Sequence, residues 1–280
     1  MNDTPAPAAA AGTLTLGGDL RVNRLGFGAM RLTGPGIWGE PQDPQTARRV
    51  LHRALELGIN FIDTADSYGP DVSERLIAET LHPYPPGLVI ATKGGLIRPG
   101  RDQWERRGNP THLRQACEAS LKRLRVERID LYQFHSPDPR VRIEDSVGEL
   151  VKLQQEGKIR HIGVSNFSVA ELERVAGIAR IVSVQNRYNI SDRRYDDVVA
   201  YCEHRKLAFI PWYPLAAGEH AGRDTGSREL ERITKQHSMT TAQAAIAWLL
   251  ARSPVMLPIP GTSSIAHLEE NVAAARVGIQ

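Results

Sequence analysis

Two rhythms of apolar and polar positions alternate along this chain. Short apolar runs, such as Phe61-Ile62, Leu88-Val89-Ile90-Ala91 and Ile129-Asp130-Leu131-Tyr132-Gln133-Phe134, give way to loops and then to stretches whose apolar residues recur every three or four positions. The runs read as strands near 25–29, 60–63, 87–92, 129–134, 160–164, 181–185, 207–211 and 255–258, and the stretches between them as amphipathic helices. Several helix starts are marked. Asp43-Pro44 and Asn109-Pro110 place a cap before a first-turn proline, while Ser168 with Glu171 and Thr240 with Gln243 fit capping boxes. Ahead of the series, Leu14 to Val22 alternates around Gly17-Gly18-Asp19 and predicts a β-hairpin.

The strand runs are apolar nearly throughout, as parallel strands covered on both faces are. Eight strand–helix units in about 250 residues, with no proline-rich or charged linker, predict an α/β fold: a single (β/α)8 TIM barrel over 13–280, preceded by a disordered tail over 1–12. Active sites of that fold lie at the C-terminal ends of the strands. Composition narrows the function further. The formal charge of +3 is spread among mixed signs, which argues against a nucleic-acid partner. No apolar run approaches the roughly 20 residues of a membrane span, and the N-terminus lacks a signal-peptide pattern. Cys117 and Cys202 sit inside helical patterns with no C-x-x-C spacing, so neither a disulfide framework nor a metal site is expected, and a cytoplasmic location is the default.

Four polar groups stand at the ends of consecutive strands: Asp63 and Tyr68 after the second, Lys93 after the third and His135 after the fourth. A tyrosine has an ordinary pKa near 10, so as a proton donor it benefits from an ammonium that stabilises the phenolate left behind. Lys93 supplies that charge, Asp63 keeps the lysine protonated, and His135 hydrogen-bonds the oxygen being protonated. Tyr132 lies within its strand and Asp66 reads as loop support; Asp138 reads as the cap of the next turn. No side chain stands out as the group attacking the carbon. Gly26-Phe27-Gly28-Ala29-Met30-Arg31 begins like a dinucleotide fingerprint but lacks its third glycine, so a nicotinamide would have to be bound in another way.

Taken together, Asn23 to Gly28, the four strand-end groups, Gly163-Val164-Ser165-Asn166-Phe167, Val184-Gln185-Asn186, Pro211 to Leu215 and Pro258 to Asn271 resemble the aldo-keto reductases, in particular the short bacterial branch that includes pyridoxal reductases. The resemblance implies a barrel across whose mouth NADPH lies extended, and reversible reduction of a small-molecule aldehyde or ketone with Asp63, Tyr68, Lys93 and His135 as catalytic residues. It implies that Ser165, Asn166 and Gln185 hold the nicotinamide amide with Trp212 stacked on the ring, and that Gly28, Met30, Pro214 and Leu215 also bind the cofactor. Gly261, Thr262, Ser263, His267, Glu270 and Asn271 are implied at the adenosine end, where His267 replaces a common arginine. The chain stops at Gln280 where many relatives continue, which shifts the expected substrate contacts to Trp38 and to the 94–109 loop with Arg98, Arg101 and Trp104. Pyridoxal or another aromatic aldehyde is the expected substrate. A redox-sensing nicotinamide-binding subunit and a Schiff-base aldolase using Lys93 are the alternatives, and the oligomeric state is open between a monomer and a weak homo-oligomer.

Overall fold

A computed structural model describes residues 6–215 and 225–279. The expected hairpin is present. Its strands β1 (Thr13–Leu16) and β2 (Leu20–Asn23) pair antiparallel, and both turn glycines, Gly17 and Gly18, have positive φ. The series that follows runs β3 (Phe27–Gly28), α1 (Pro44–Glu56), β4 (Phe61–Asp63), α2 (Val72–Leu81) and β5 (Val89–Gly94). A small antiparallel ribbon, β6 (Leu96–Ile97) with β7 (Glu105–Arg106), projects from the next loop. Then come α3 (Pro110–Leu124), β8 (Ile129–Phe134), α4 (Ile143–Gln155), β9 (Ile159–Ser165), α5 (Val169–Val175), β10 (Ile181–Gln185), α6 (Asp196–Arg205), β11 (Ala208–Phe209), α7 (Thr225–His237), α8 (Thr241–Arg252) and α9 (Ile265–Ala273). The predicted caps form. Asp43 accepts from Thr46 N and Asn109 from His112 N, and both capping boxes are complete.

Seven strands lie parallel in the order β3-β4-β5-β8-β9-β10-β11. The eighth expected strand, 255–258, is an extended segment rather than a full ladder. Phe209 N donates to Val255 O and Leu257 N to Phe209 O, both at 2.9 Å; on the other side Gly26 N donates to Pro258 O at 2.9 Å. The segment joins β11 to β3 and closes the TIM-like barrel. Pro258 and Pro260 have no N–H to donate, which explains the sparse ladder. Close approach is also needed here, because a Cβ on Gly28 would lie 2.6 Å from Ile259 O.

The interior of the barrel is filled from below. Leu16, Leu20 and Val22 of the hairpin pack with inward-facing Phe61, Val89, Leu131, Val182 and Leu257. Each such side chain contributes roughly 1.5–3 kcal/mol on burial. The hairpin thus plugs one end of the barrel and leaves the other free for a site. Outward-facing Ile62, Ile90, Tyr132, Phe134 and Val164 pack under the helices.

The expected disordered tail over 1–12 does not hold for its second half. Pro7–Ala11 forms a 3-10 turn, Ala8 is fully buried, and Ala8 N donates to Leu57 O at 2.9 Å. Small alanine methyls fit the space left beside Gly58, a packing that leaves no periodic trace in the sequence. Residues 1–5 lie outside the described residues.

Candidate active site

Strand register gathers the polar groups. Asp63 pairs with Ala91, and Lys93 with Gln133. Because side chains alternate along a strand, Asp63, Ala91, Lys93, Leu131 and Gln133 all face inward, and His135 follows Gln133 by two. Tyr68 arrives from the loop after β4, where its N–H donates to Ala65 O at 3.2 Å and Gly69 takes φ 108°. Gly69 is required there, since a Cβ would meet Val72 Cβ at 2.4 Å.

The resulting network is buried and centres on Lys93. Lys93 Nζ donates to Asp63 Oδ1 at 2.5 Å, Thr64 O at 2.8 Å and Tyr68 Oη at 3.3 Å, which uses all three of its protons. The second carboxylate oxygen, Asp63 Oδ2, accepts from Gln133 Nε2 at 2.9 Å and Gln185 Nε2 at 2.8 Å. Lys93 is 0 % exposed and Tyr68 and His135 are 7 %. The two rings meet edge to face with centroids 6.0 Å apart. Sequence reading missed Gln133. Its signal was the alternation itself, which places Leu131, Gln133 and His135 on one face.

The electrostatics sort the roles. Burial opposes the charge on Lys93, but Asp63 and the Tyr68 oxygen outweigh it and raise the ammonium above its usual range. A Schiff-base lysine must be neutral, so this environment does not suit an aldolase. Burial foremost raises the Tyr68 phenol, with Lys93 pulling it down only in part, so the hydroxyl keeps its proton. The expected Lys93 charge does act on the phenol, but desolvation of the buried ring is the larger effect. Burial and then the Lys93 charge push His135 well below the usual imidazole range, leaving it neutral, and its Nδ1 has no partner among the described residues. Asp66 supports the loop through its backbone, donating N–H to Lys93 O and accepting from Asp71 N.

Asp138 does more than cap a turn. Its carboxylate accepts from Arg140 N and Nε and, across the loop, from Gly108 N at 3.0 Å. The Arg140 side chain foremost lowers its pKa to about 2. A carboxyl depressed on folding stabilises fully above its unfolded value near 3.9 and loses that contribution as pH falls through its folded value. Asp138→Asn should therefore cost about 1–2 kcal/mol at neutral pH, the exposed Arg140 head limiting the effect, with the gap to wild type closing between about pH 4 and 2. Urea unfolding at several pH values measures it; a gap independent of pH would contradict it.

Asp63, Tyr68 and His135 open into a cavity of about 410 Å³. Gly28, Met30, Ser165, Asn166, Gln185, Trp212, Pro214, Leu215 and Gly261 line one part of it, and Ile37, Leu96 and Trp104 another. Thr262 and Ser263 line a neighbouring cavity that shares Met30, Arg31, Ile37 and Gly261. Asn166, at φ 61°, ties the wall together: its Nδ2 donates to His135 O at 3.0 Å and its Oδ1 accepts from Trp212 Nε1 at 3.1 Å.

The sequence profile of the aldo/keto reductase family matches residues 24–279. The chain belongs to this family. It is 40% identical over 272 residues to pyridoxine 4-dehydrogenase of Escherichia coli, covering 95% of this chain and 93% of that one. It is 51% identical over 273 residues to an uncharacterized oxidoreductase of Schizosaccharomyces pombe, covering 98% and 87%. Among solved structures, a glycerol dehydrogenase from Gluconobacter oxydans superposes with TM-score 0.86 at 29% identity, covering 97% of this chain and 92% of its own. The protein is thus an oxidoreductase of the aldo/keto reductase family.

Members of this family use NADP(H), and the donor set here fits a nicotinamide. Trp212 offers a flat aromatic face, and Gln185, whose amide nitrogen is committed to Asp63, offers its carbonyl oxygen to an incoming amide. Ser165 and Asn166 flank them. The expected contacts at the adenosine end are less assembled. His267 is exposed on the first turn of α9, the Glu270 carboxylate accepts from Thr240 Oγ1 at 2.5 Å, Asn271 is buried, and none of the three lines either cavity. Of the two tryptophans expected to contact substrate, Trp104 lines the cavity and Trp38 does not; the first loop contributes Ile37 instead, and the Trp38 ring lies near Arg98.

Proposed function

We propose that this aldo/keto reductase uses NADPH to reduce pyridoxal or another aromatic aldehyde to the alcohol, with Tyr68 as proton donor. One observation carries the reading: a protonated phenol 3.3 Å from a buried ammonium, beside a neutral imidazole, with phenol and imidazole opening into a cavity walled by Trp104, Trp212, Ile37 and Leu96. The 40% identity to a pyridoxine 4-dehydrogenase supports the choice of aldehyde.

When bound, NADPH supplies hydride to the carbonyl carbon. The protein handles the oxygen. An oxygen lodged between Tyr68 and His135 accepts a hydrogen bond from the neutral imidazole, which orients it and stabilises developing charge without adding a second buried cation. Tyr68 then gives up its proton, and Lys93 stabilises the phenolate that remains. Asp63 balances the Lys93 charge, while Gln133 and Gln185 fix Asp63. The flat aromatic and branched apolar walls suit a planar ring better than a short chain. Cys117 and Cys202 are buried free thiols pushed up to about 12 by burial, a state that suits a reducing cytoplasm.

The test is NADPH oxidation against a panel of pyridoxal, benzaldehyde and propanal. An aromatic member should exceed propanal in kcat/KM by about tenfold or more. Equal or better turnover of propanal would refute the aromatic assignment.

A further inference from the structure

Arg98 stands beside the catalytic cavity without lining it, and it is 8 % exposed. All three guanidinium nitrogens donate to backbone carbonyls: Nη1 to Ile37 O at 2.8 Å, Nη2 to Gly36 O at 3.0 Å and Nε to Gln103 O at 3.0 Å. Its plane lies over the Trp104 ring at 4.0 Å and near the Trp38 ring at 5.4 Å. The arginine therefore ties the loop after β3 to the β6–β7 ribbon, and the first of these is in turn tied to the Tyr68 loop through Gly39 N to Gly69 O at 2.5 Å.

What this clamp holds is the substrate wall. Ile37 has φ 57°, a left-handed conformation costly for a β-branched residue, so something must keep it there. Arg98 grips its carbonyl, and Ile37 and Trp104 both line the cavity. Trp104 is 42% exposed, and the guanidinium stacked on its ring at 4.0 Å holds it in place. Only a planar fork with several donors can satisfy three carbonyls while stacking on an indole; a lysine cannot.

We infer that Arg98 is a positioning residue that sets specificity: by holding Ile37 and Trp104 on the cavity wall it determines how well a flat aromatic aldehyde is bound. It does not touch the substrate. The inference rests on the proposed aromatic substrate, and comparing two aldehydes in each variant keeps the two separable. Arg98→Gln and Arg98→Lys should each raise KM for the best aromatic aldehyde about tenfold while kcat falls less than about threefold, with a much smaller change in kcat/KM for propanal. Trp104→Ala should reproduce the rise in KM, and combining it with Arg98→Gln should add little.

An unchanged aromatic KM in a folded Arg98→Gln protein, or an equal loss for both aldehydes through kcat, overturns the proposal. Should Arg98→Gln fail to fold, Arg98→Lys and Trp104→Ala decide, and an unchanged KM in either overturns it. If wild type shows no aromatic preference, the substrate reading fails, and Arg98 is judged on the variant-to-wild-type KM ratio for the largest and smallest aldehydes turned over.

Discussion

Tyr68→Phe should lower kcat for carbonyl reduction about 1,000-fold and leave the fold intact. The substitution removes one hydroxyl that accepts a hydrogen bond from Lys93 Nζ at 3.3 Å, and the ring stays against His135. The stability cost should be about 1 kcal/mol, the loss of one buried hydrogen bond. The same residue sets the pH profile. The proposed reduction needs the protonated phenol, and burial raises the Tyr68 pKa, so the hydroxyl keeps its proton throughout the neutral range. The wild-type rate should be flat there and fall only in alkaline solution, above the ordinary phenol value near 10. Steady-state kinetics across pH on both proteins measure this. A Tyr68→Phe enzyme working near the wild-type rate would remove Tyr68 from the mechanism.

Lys93→Met should be the most destabilising single change in the site, by about 3–5 kcal/mol, and should abolish measurable reduction. The reason is electrostatic. Without the ammonium, the Asp63 carboxylate stays 2 % exposed, with only the amides of Gln133 and Gln185 to meet its charge. Converting Asp63 to Asn removes that stranded charge. The double variant Lys93→Met with Asp63→Asn should therefore be more stable than Lys93→Met alone by about 2 kcal/mol while remaining inactive. Urea unfolding of the four proteins of this cycle gives the coupling. A double variant no more stable than Lys93→Met would show that charge pairing is not what holds this pair together.

Much of this arrangement was readable before any coordinates because it depends on periodicity. The apolar runs marked the strands, and the parallel register then forced Asp63, Lys93 and His135 to one mouth of the barrel. The eighth strand was readable as extended chain, but its two prolines reduce it to a few closing hydrogen bonds. Loops were less transparent. Nothing in the order Gly36-Ile37-Trp38 says which side chain turns inward; the left-handed φ of Ile37 and the stacking of Trp38 on Arg98 decide it. Arg98 itself read as a possible substrate contact, since its partners are backbone carbonyls that no residue pattern encodes. Tyr68 was found for its chemistry, yet the balance of burial against Lys93 on its acidity follows only from its 7 % exposure.

If Asp63, Tyr68, Lys93 and His135 complete a carbonyl reduction, cofactor and product must change together. The most direct measurement follows NADPH consumption and alcohol formation together, on one sample, with the aldehyde turned over fastest. Wild type should form one alcohol per NADPH consumed, and both rates should fall together in Tyr68→Phe. NADPH consumed without alcohol, or alcohol formed at an undiminished rate by Tyr68→Phe, would contradict it.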